Sequence, residues 1–272
     1  MPRIAVFGCG RIGRMHAANL ARHPRTELVS VFDVFAEAAR TTAEATGAEV
    51  AASIEAVLDD DGIDAVLIAS STDTHVDLLT RAAKAKKAIL CEKPIDLARQ
   101  RVEACWAEIG GLDPLIMLGF NRRFDPTFME LRKRLQGGAV GKLEQLVITS
   151  RDPGPPPADY LKVSGGMFRD MTIHDFDLAR YFAGDIVSVQ ATGANLVDPE
   201  IGKLGDIDSA MITMRAASGA LIHISNSRRA VYGYDQRIEA FGESGMLQAG
   251  NQRATSLSYW GEEGTDLRDP VM

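Results

Sequence analysis

The chain has 272 residues, of which 46% are hydrophobic, so it is long enough to form two domains with a core each. Its formal net charge of −7 would repel a phosphate backbone, which argues against nucleic acid as a partner. It carries neither a secretion signal nor an apolar run of about 20 residues, so no membrane partner is expected. The cysteines are scattered without C-x-x-C spacing, which favours a reducing cytoplasm and a buried, non-nucleophilic role for each: Cys9, Cys91 and Cys105.

The first part of the chain alternates short apolar runs with helical patterns. The runs are IAVF, LVSVFD, AVLIAS and AILCEKP, and helices are expected after Gly13, through Ala45 and from His75. Near-continuous apolar strands are typical of a parallel sheet that is covered by helices on both faces. The sequence therefore predicts a doubly wound α/β domain of the Rossmann type over residues 1–119.

The pattern changes after Gly119. One helix is predicted from Phe128 to Leu135, and strand-like runs follow: KLEQLVITS, IVSVQATG, SAMITMRA, GALIHISNS and QRIEAFG. The segment DPGPPPADY, from Asp152 to Tyr160, contains too many prolines for a helix or a central strand and is expected to form an ordered loop or flap. Residues 120–272 are thus predicted to form an α+β domain with a largely antiparallel sheet.

A glycine-rich motif, Gly8-Cys9-Gly10-Arg11-Ile12-Gly13, lies between the first strand and the first helix. The first glycine permits a tight turn, the second lets the backbone approach a pyrophosphate, and the third allows close packing of helix on strand. The helix N-terminus would then face the phosphates. The motif alone is weak evidence, since many glycine-rich turns join strands to helices, but in this context it predicts dinucleotide binding.

Asp33 ends the second predicted strand, twenty residues after Gly13. A carboxylate there can accept hydrogen bonds from the adenosine ribose hydroxyls and would repel a 2′-phosphate. Val34 and Phe35 supply no cation for such a phosphate, so NAD is favoured over NADP. The alternative is that Asp33 only caps the following helix.

Two further features carry titratable groups. Lys93 follows the strand AILC at the carboxyl edge of the sheet, where it could stabilise a developing oxyanion or could simply be an exposed loop lysine. In the segment DMTIHDFD, Asp170 and His174 are four residues apart, a spacing that places both on one face of a helix. They could be a base and its orienting acid; alternatively, the histidine could be buried and hydrogen-bonded in the core, or Asp, His and Asp of this segment could be metal ligands. No second histidine cluster supports a metal site, and none is predicted.

Five motifs taken together resemble the glucose-fructose oxidoreductase/inositol dehydrogenase (Gfo/Idh/MocA) family, and the last two are most similar to those of its inositol 2-dehydrogenase members. In chain order they are GCGRIG, STDTH at Ser71 to His75, CEKP at Cys91 to Pro94, GFNRRFDP at Gly119 to Pro126, and DMTIHDFD. The resemblance implies NAD-dependent oxidation of one hydroxyl of a cyclic polyol, with myo-inositol giving the 2-keto inosose. It leaves a related sugar, another inositol isomer or a catalytically silent NAD-binding sensor or assembly protein as alternatives.

The resemblance also implies roles for single residues. The implied catalytic residues are Lys93, Asp170 and His174. The implied cofactor-binding residues are Gly8, Gly10, Arg11, Ile12, Gly13, Asp33, Thr72, His75, Glu92 and Lys93. The implied polyol contacts are Arg122, Asp152 and Tyr234, together with Asp170 and His174, although Arg122 could instead be a solvated surface residue and Tyr234 a core residue. Arg123, Phe124 and Asp125 are expected to pack and orient their segment.

The resemblance implies an assembly as well. We expect a homo-oligomer, a dimer or tetramer, that forms through the sheet of the second domain. Relatives continue with a further helix where this sequence stops at Met272, so the chain is expected to be truncated relative to the family.

Overall fold

A computed structural model describes residues 1–251, 259–261 and 264–266 of the chain. It forms two compact units, Met1–Phe120 and Asn121–Met272, each of which is considered by itself below. The predicted boundary fell one residue earlier. The end of the chain at Met272, on which the expected truncation rests, lies outside the described residues. Within the described part of the chain, no helix has both the length and the apolar character needed to cross a membrane.

The first unit is a six-stranded parallel sheet with helices between its strands. The strands are β1 (Arg3–Phe7), β2 (Glu27–Phe32), β3 (Glu49–Val50), β4 (Ala65–Ile68), β5 (Ala88–Cys91) and β6 (Ile116–Leu118). The helices are α1 (Arg11–Arg22), α2 (Ala36–Thr46), α3 (Ile54–Leu58), α4 (Thr72–Lys84) and α5 (Arg99–Ile109). The order β3-β2-β1-β4-β5-β6 confirms the predicted doubly wound fold.

Apolar side chains on the central strands explain why both faces of this sheet are covered. On β1, Ala5 and Phe7 belong to one buried cluster and Val6 belongs to another on the opposite side. Because the strand is apolar on both faces, it is stable only between two layers of helices. Two helices begin earlier than predicted, α1 at Arg11 and α4 at Thr72, because their first turns carry too few apolar residues to show a helical period.

The second unit contains a six-stranded mixed sheet. Its strands are β7 (Leu143–Arg151), β8 (Ile186–Ala194), β9 (Ser209–Ala216), β10 (Leu221–Ser227), β11 (Asp235–Gly242) and β12 (Gly245–Ala249). The order is β12-β11-β7-β10-β9-β8, and only the pair β7 with β10 is parallel. The predicted, largely antiparallel sheet is therefore confirmed.

Helices of the second unit cover one face of this sheet. They are α6 (Pro126–Gln136), α7 (Ala158–Leu161), α8 (Met167–Asp170), α9 (Ile173–Ala183) and α10 (Pro199–Lys203), and two short strands follow, β13 (Tyr259–Gly261) and β14 (Gly264–Asp266). Phe128 of α6 and Leu178 of α9 share a core cluster with alternate residues of the strands. On β9, Ile212 is buried whereas its neighbours Met211 and Thr213 are exposed. The opposite face of the sheet is thus exposed in the described chain.

The proline-rich segment after β7 forms a loop over residues 152–157, and α7 begins at Ala158, inside the span predicted to be loop. The DMTIHDFD segment also differs from the prediction of one helix. Helix α8 ends at Asp170, and α9 begins at Ile173. Thr172 lies in the turn between them with its side chain buried and hydrogen-bonded to Asn226, so the chain breaks its helix there.

Candidate active site

The glycine loop between β1 and α1 has the geometry that its motif predicts. Gly8 has a φ of 96°, and a Cβ there would lie 2.5 Å from the backbone of Ala69. A Cβ on Gly13 would lie 1.8 Å from the carbonyl oxygen of Gly8. Neither position accepts a side chain without moving backbone, because real Cβ contacts are longer than 3.0 Å. These two glycines bring the start of α1 close to the sheet.

Gly10 differs from the other two glycines. It is the N-cap of α1, and a Cβ there would meet no atom of the described residues within 4 Å. Packing within the chain therefore does not explain the missing side chain. The open space leaves the backbone N–H groups at the start of α1 accessible, and helix N-terminal N–H groups of this kind can bind phosphate. Next to it, Arg11 is exposed and Ile12 is half-buried. The loop fits the pyrophosphate of a dinucleotide.

Asp33, directly after β2, is joined to this loop. Its Oδ2 accepts a hydrogen bond from the N–H of Cys9 at 2.6 Å, and its Oδ1 accepts one from the N–H of Phe35 at 2.8 Å. An ionised carboxylate has about four acceptor positions, so it can accept further bonds from ribose hydroxyls. The N-cap of α2 is Phe35 rather than Asp33. The carboxylate therefore does more than cap a helix.

Glu92 and Lys93 follow β5 at the carboxyl edge of the sheet. Glu92 Oε1 lies 2.7 Å from Nε2 of His16 on α1, and Oε2 accepts the N–H of Lys93 at 3.3 Å. Lys93 is half-buried, with a cis peptide bond to Pro94, rather than an exposed loop lysine. Sequence reasoning missed His16, although its place three residues after Gly13 puts it in the first turns of the phosphate-facing helix.

His75 was expected to bind the cofactor. Its ring is buried, with Nδ1 2.8 Å from the carbonyl oxygen of Pro94 and Nε2 3.1 Å from that of Ser70. The imidazole thus links the loop after β4 to the loop after β5. Thr72, the first residue of α4, is half-buried at the same sheet edge. These contacts give His75 a part in holding the loop that carries Lys93.

In the second unit, a buried polar network surrounds Asp175 of α9. This carboxylate is fully buried; it accepts a hydrogen bond from Arg122 Nη1 at 2.6 Å and one from Asn226 Nδ2 at 2.8 Å. Asn226 also accepts the hydroxyl of Thr172 at 2.7 Å and donates to the carbonyl oxygen of Ser150 at 3.2 Å. Burial raises the pKa of Asp175, and the charge of Arg122 and the hydrogen bonds oppose that rise. Arg122 is therefore held in place by an ion pair rather than free at the surface.

A second set of contacts surrounds Asp170. Its Oδ1 accepts the hydroxyl of Tyr160 at 2.7 Å, and its Oδ2 accepts Nη1 of the buried Arg228 at 3.2 Å. Arg228 also lies 3.7 Å from Asp206. His174, four residues further along the chain, is the second residue of α9 and is half-buried. Sequence reasoning missed Tyr160, Asp206, Asn226 and Arg228.

Asp152 lies within electrostatic reach of both sets. Burial raises the pKa of its carboxyl; the charges of Arg122 and Arg228 lower it, and Asp170 and Asp175 raise it further. Its backbone is held on both sides, since its N–H donates to Ser227 and its carbonyl oxygen accepts the N–H of Ala230. The structure therefore brings five residues of this unit together. Four of them, Arg122, Asp152, Asp170 and Asp175, were predicted or belong to a predicted motif, and the fifth is Arg228.

Tyr234 precedes β11 and is about half exposed, so it is not a core residue. Of the residues expected to orient the GFNRRFDP segment, Arg123 donates twice to Asp177, and Asp125 caps α6. Phe124 is 58% exposed.

Among the described residues, no group of three or more histidine, cysteine, aspartate or glutamate side chains is arranged to hold a metal ion. All three cysteines are buried free thiols. Burial and the neighbouring charge of Glu92 raise the pKa of Cys91 to about 12, which makes that thiol unreactive near neutral pH.

Comparison with known proteins gives matches over both units. Residues 2–111 match the model of an oxidoreductase family with an NAD-binding Rossmann fold, and residues 128–248 match that of the GFO/IDH/MocA C-terminal domain. The chain is 52% identical to an inositol 2-dehydrogenase of Rhizobium meliloti, over 94% of this chain and 77% of the relative. It is 49% identical to a myo-inositol 2-dehydrogenase of Thermotoga maritima, over 96% and 79%. A crystal structure of a myo-inositol dehydrogenase from Corynebacterium glutamicum superposes with a TM-score of 0.95 at 52% identity, covering 100% of this chain and 81% of that one.

Proposed function

The chain belongs to the GFO/IDH/MocA family of NAD-binding oxidoreductases, and from this premise we propose that it oxidises a secondary hydroxyl of a cyclic polyol. The leading substrate is myo-inositol and the product its 2-keto inosose, as the names of the relatives at about 50% identity suggest. NAD, when bound, accepts the hydride. Gly10 leaves room for its pyrophosphate, Gly8 and Gly13 bring the start of α1 close to the sheet, and Asp33 accepts its ribose hydroxyls.

The observation that carries the substrate class is the charge of the cluster in the second unit. Asp152, Asp170, Asp175 and Asp206 stand with Arg122 and Arg228, so four negative and two positive groups sum to −2 when all are ionised. Arg122 is already paired with a buried carboxylate at 2.6 Å. Such a cluster has no spare positive charge to bind an anionic substrate, whereas mixed donors and acceptors suit the hydroxyls of a neutral polyol.

Within this proposal, His174 removes the proton of the reacting hydroxyl. Asp170 orients the imidazole and stabilises its positive charge, and Lys93 stabilises the same oxygen as it becomes a ketone. The assignment of all three residues to one reaction rests on the family resemblance of the CEKP and DMTIHDFD motifs. Arg122, Asp152 and Tyr234 are proposed to bind the remaining hydroxyls.

The test is turnover of the purified chain with NAD and a panel of myo-inositol, scyllo-inositol and glucose. We expect NADH formation with myo-inositol, and His174→Ala should lower kcat about a hundredfold or more while leaving the Kd for NAD nearly unchanged. His23→Ala is the matched control, because His23 is an exposed histidine at the end of α1. Preference for another compound of the panel would change the substrate, and NAD binding without any turnover would support a silent sensor.

We also propose that copies of the chain associate through the exposed face of the second sheet. This face presents the apolar side chains Met211, Leu221, Phe241 and Met246, each more than 40% exposed. Exposed apolar side chains grouped on one face are typical of a contact between proteins.

We also propose a cytoplasmic location, since the three free thiols suit a reducing compartment.

A further inference from the structure

Arg228 is a charged side chain buried directly after β10. Only 1% of it is exposed, and it is among the largest of the fully buried side chains. Its Nη1 donates to Asp170 at 3.2 Å, its Nη2 lies 3.7 Å from Asp206, and its charge acts on Asp152. One guanidinium group is thus placed among three carboxylates.

The hydrogen bonding of this guanidinium is incomplete. Among the described residues, neither Nε nor Nη2 has a hydrogen-bond acceptor, and Asp206 Oδ2 has no donor. A buried ion pair stabilises a fold only when its geometry is good and its remaining N–H groups are satisfied. Arg228 does not meet that condition, so stability of the fold is a poor explanation for it. Its effect on the carboxylates around it is a better one.

The backbone and the neighbours of Arg228 fix its direction. Its N–H donates to the carbonyl oxygen of Asp208 at 2.8 Å, and Asp208 is itself fully buried. Asp170 receives Arg228 on Oδ2 and Tyr160 on Oδ1. These two donors come from the end of β10 and from α7, so the plane of the Asp170 carboxylate is defined by two separate elements.

We propose that Arg228 is a positioning residue that holds the carboxylate of Asp170 in one orientation and thereby sets the proton affinity of His174. The inference rests on the proposed function, in which Asp170 orients His174. Charged or titratable groups that face this region are Asp152, Asp175, Asp206, Arg122 and Tyr160. Loss of the Arg228 charge makes the field more negative and favours the imidazolium form. Loss of the Asp206 charge acts in the opposite direction.

The experiment compares Arg228→Met with Asp206→Asn and follows two readouts. One is the acid limb of kcat/KM for myo-inositol at saturating NAD, and the other is the proton NMR titration midpoint of the His174 imidazole without substrate. We expect Arg228→Met to raise both midpoints by about one pH unit, tenfold in proton affinity, and Asp206→Asn to lower them. Asn at position 206 keeps an oxygen to accept the N–H of Met167. Arg229→Met is the matched control, because Arg229 is the adjacent but exposed arginine.

Opposite shifts support the inference, since a merely structural role would lower activity in both variants without moving the midpoints apart. Unchanged midpoints, or shifts in the same direction, would overturn it. Arg228→Lys keeps the positive charge, so it should keep the titration midpoint of His174 while lowering kcat. If Arg228→Met does not fold, the midpoints of Arg228→Lys and Asp206→Asn still test the inference. A parent protein that oxidises no polyol would refute the proposed function, whereas the NMR readout would still decide the role of Arg228.

Discussion

Replacing Gly10 with alanine tests whether this glycine is required for cofactor binding rather than for stability of the fold. The backbone of Gly10, with φ −70° and ψ −170°, lies in a region that alanine adopts freely, and the added Cβ meets no atom within 4 Å in the part of the chain that the structure describes. Alanine should gain about 0.4–1 kcal/mol by restricting the unfolded chain. As an N-cap it should lose about the same amount relative to glycine. The two effects offset, so we expect the melting temperature to stay within about 2 °C of the parent.

The same methyl group should weaken NAD binding. It projects into the space through which the pyrophosphate would approach the start of α1. We expect the Kd for NAD to rise about ten- to a hundredfold, equivalent to about 1.4–2.7 kcal/mol. Titration of the purified variant by the change in intrinsic or NADH fluorescence measures this. A Gly10→Ala protein that binds NAD as tightly as the parent would falsify the assignment of this loop to the pyrophosphate.

Gly13→Ala is the matched comparison, since it makes the same chemical change three residues away. Its Cβ would overlap the Gly8 carbonyl oxygen at 1.8 Å, so backbone must shift. Overpacking of this kind costs about 1–3 kcal/mol, and we expect a melting temperature about 3–10 °C lower. The pair thus predicts a binding defect without instability at one position and instability at the other. Equal loss of stability in both variants would contradict the reasoning.

Three further predictions follow from the described contacts. Asp33→Ser with Val34→Arg should move the Kd ratio toward NADP, and a parent with equal affinity for both cofactors would show that Asp33 does not meet the ribose. Burial alone would raise the pKa of the Asp208 carboxyl, but hydrogen bonds from backbone N–H groups and a hydroxyl outweigh it, so the pKa is lowered. The ionised carboxylate therefore stabilises the fold above about pH 4, and this stabilisation is lost as the pH falls through the folded-state pKa. Asp208→Asn should therefore melt about 5–10 °C below the parent at pH 7, and the difference between the two melting temperatures should shrink at acidic pH. A difference that does not change with pH would refute this. Leu221→Glu with Phe241→Glu should lower the sedimentation coefficient, whereas an unchanged assembly would exclude this face.

The fold was largely predictable because its strands carry clear patterns. The apolar runs of the first unit and the alternation of β9 identify their elements without any tertiary information. β12 was not predicted, since the five residues GMLQA follow β11 after a very short connection and show only weak alternation. The break between α8 and α9 was also missed. It depends on the contact of Thr172 with Asn226, which is 54 residues away in the chain.

The site was predictable only where its residues are close in the sequence. Asp170, His174 and Asp175 fall in one motif, so spacing alone grouped them. Asn226 reaches Asp175 because β7 and β10 pair in parallel, which aligns Asn226 with Ser150 at the end of both strands. A parallel pair inside an otherwise antiparallel sheet leaves no mark in composition or periodicity. The partners that the sheet supplies to the motif therefore stayed unassigned.

One signal in the sequence could nevertheless have found Arg228. The inward phase of β10 is set by Ile222 and Ile224, and counting by two from them leads to Asn226 and then to Arg228, both buried, while Arg229 is exposed. A polar residue in the buried phase of a strand must find partners, because an unpaired buried polar group costs free energy. Two such residues in succession at the carboxyl end of a strand therefore mark a place where other polar groups meet. In this chain those groups are carboxylates of the DMTIHDFD motif, so the phase of the strand and the spacing of the motif point to the same cluster.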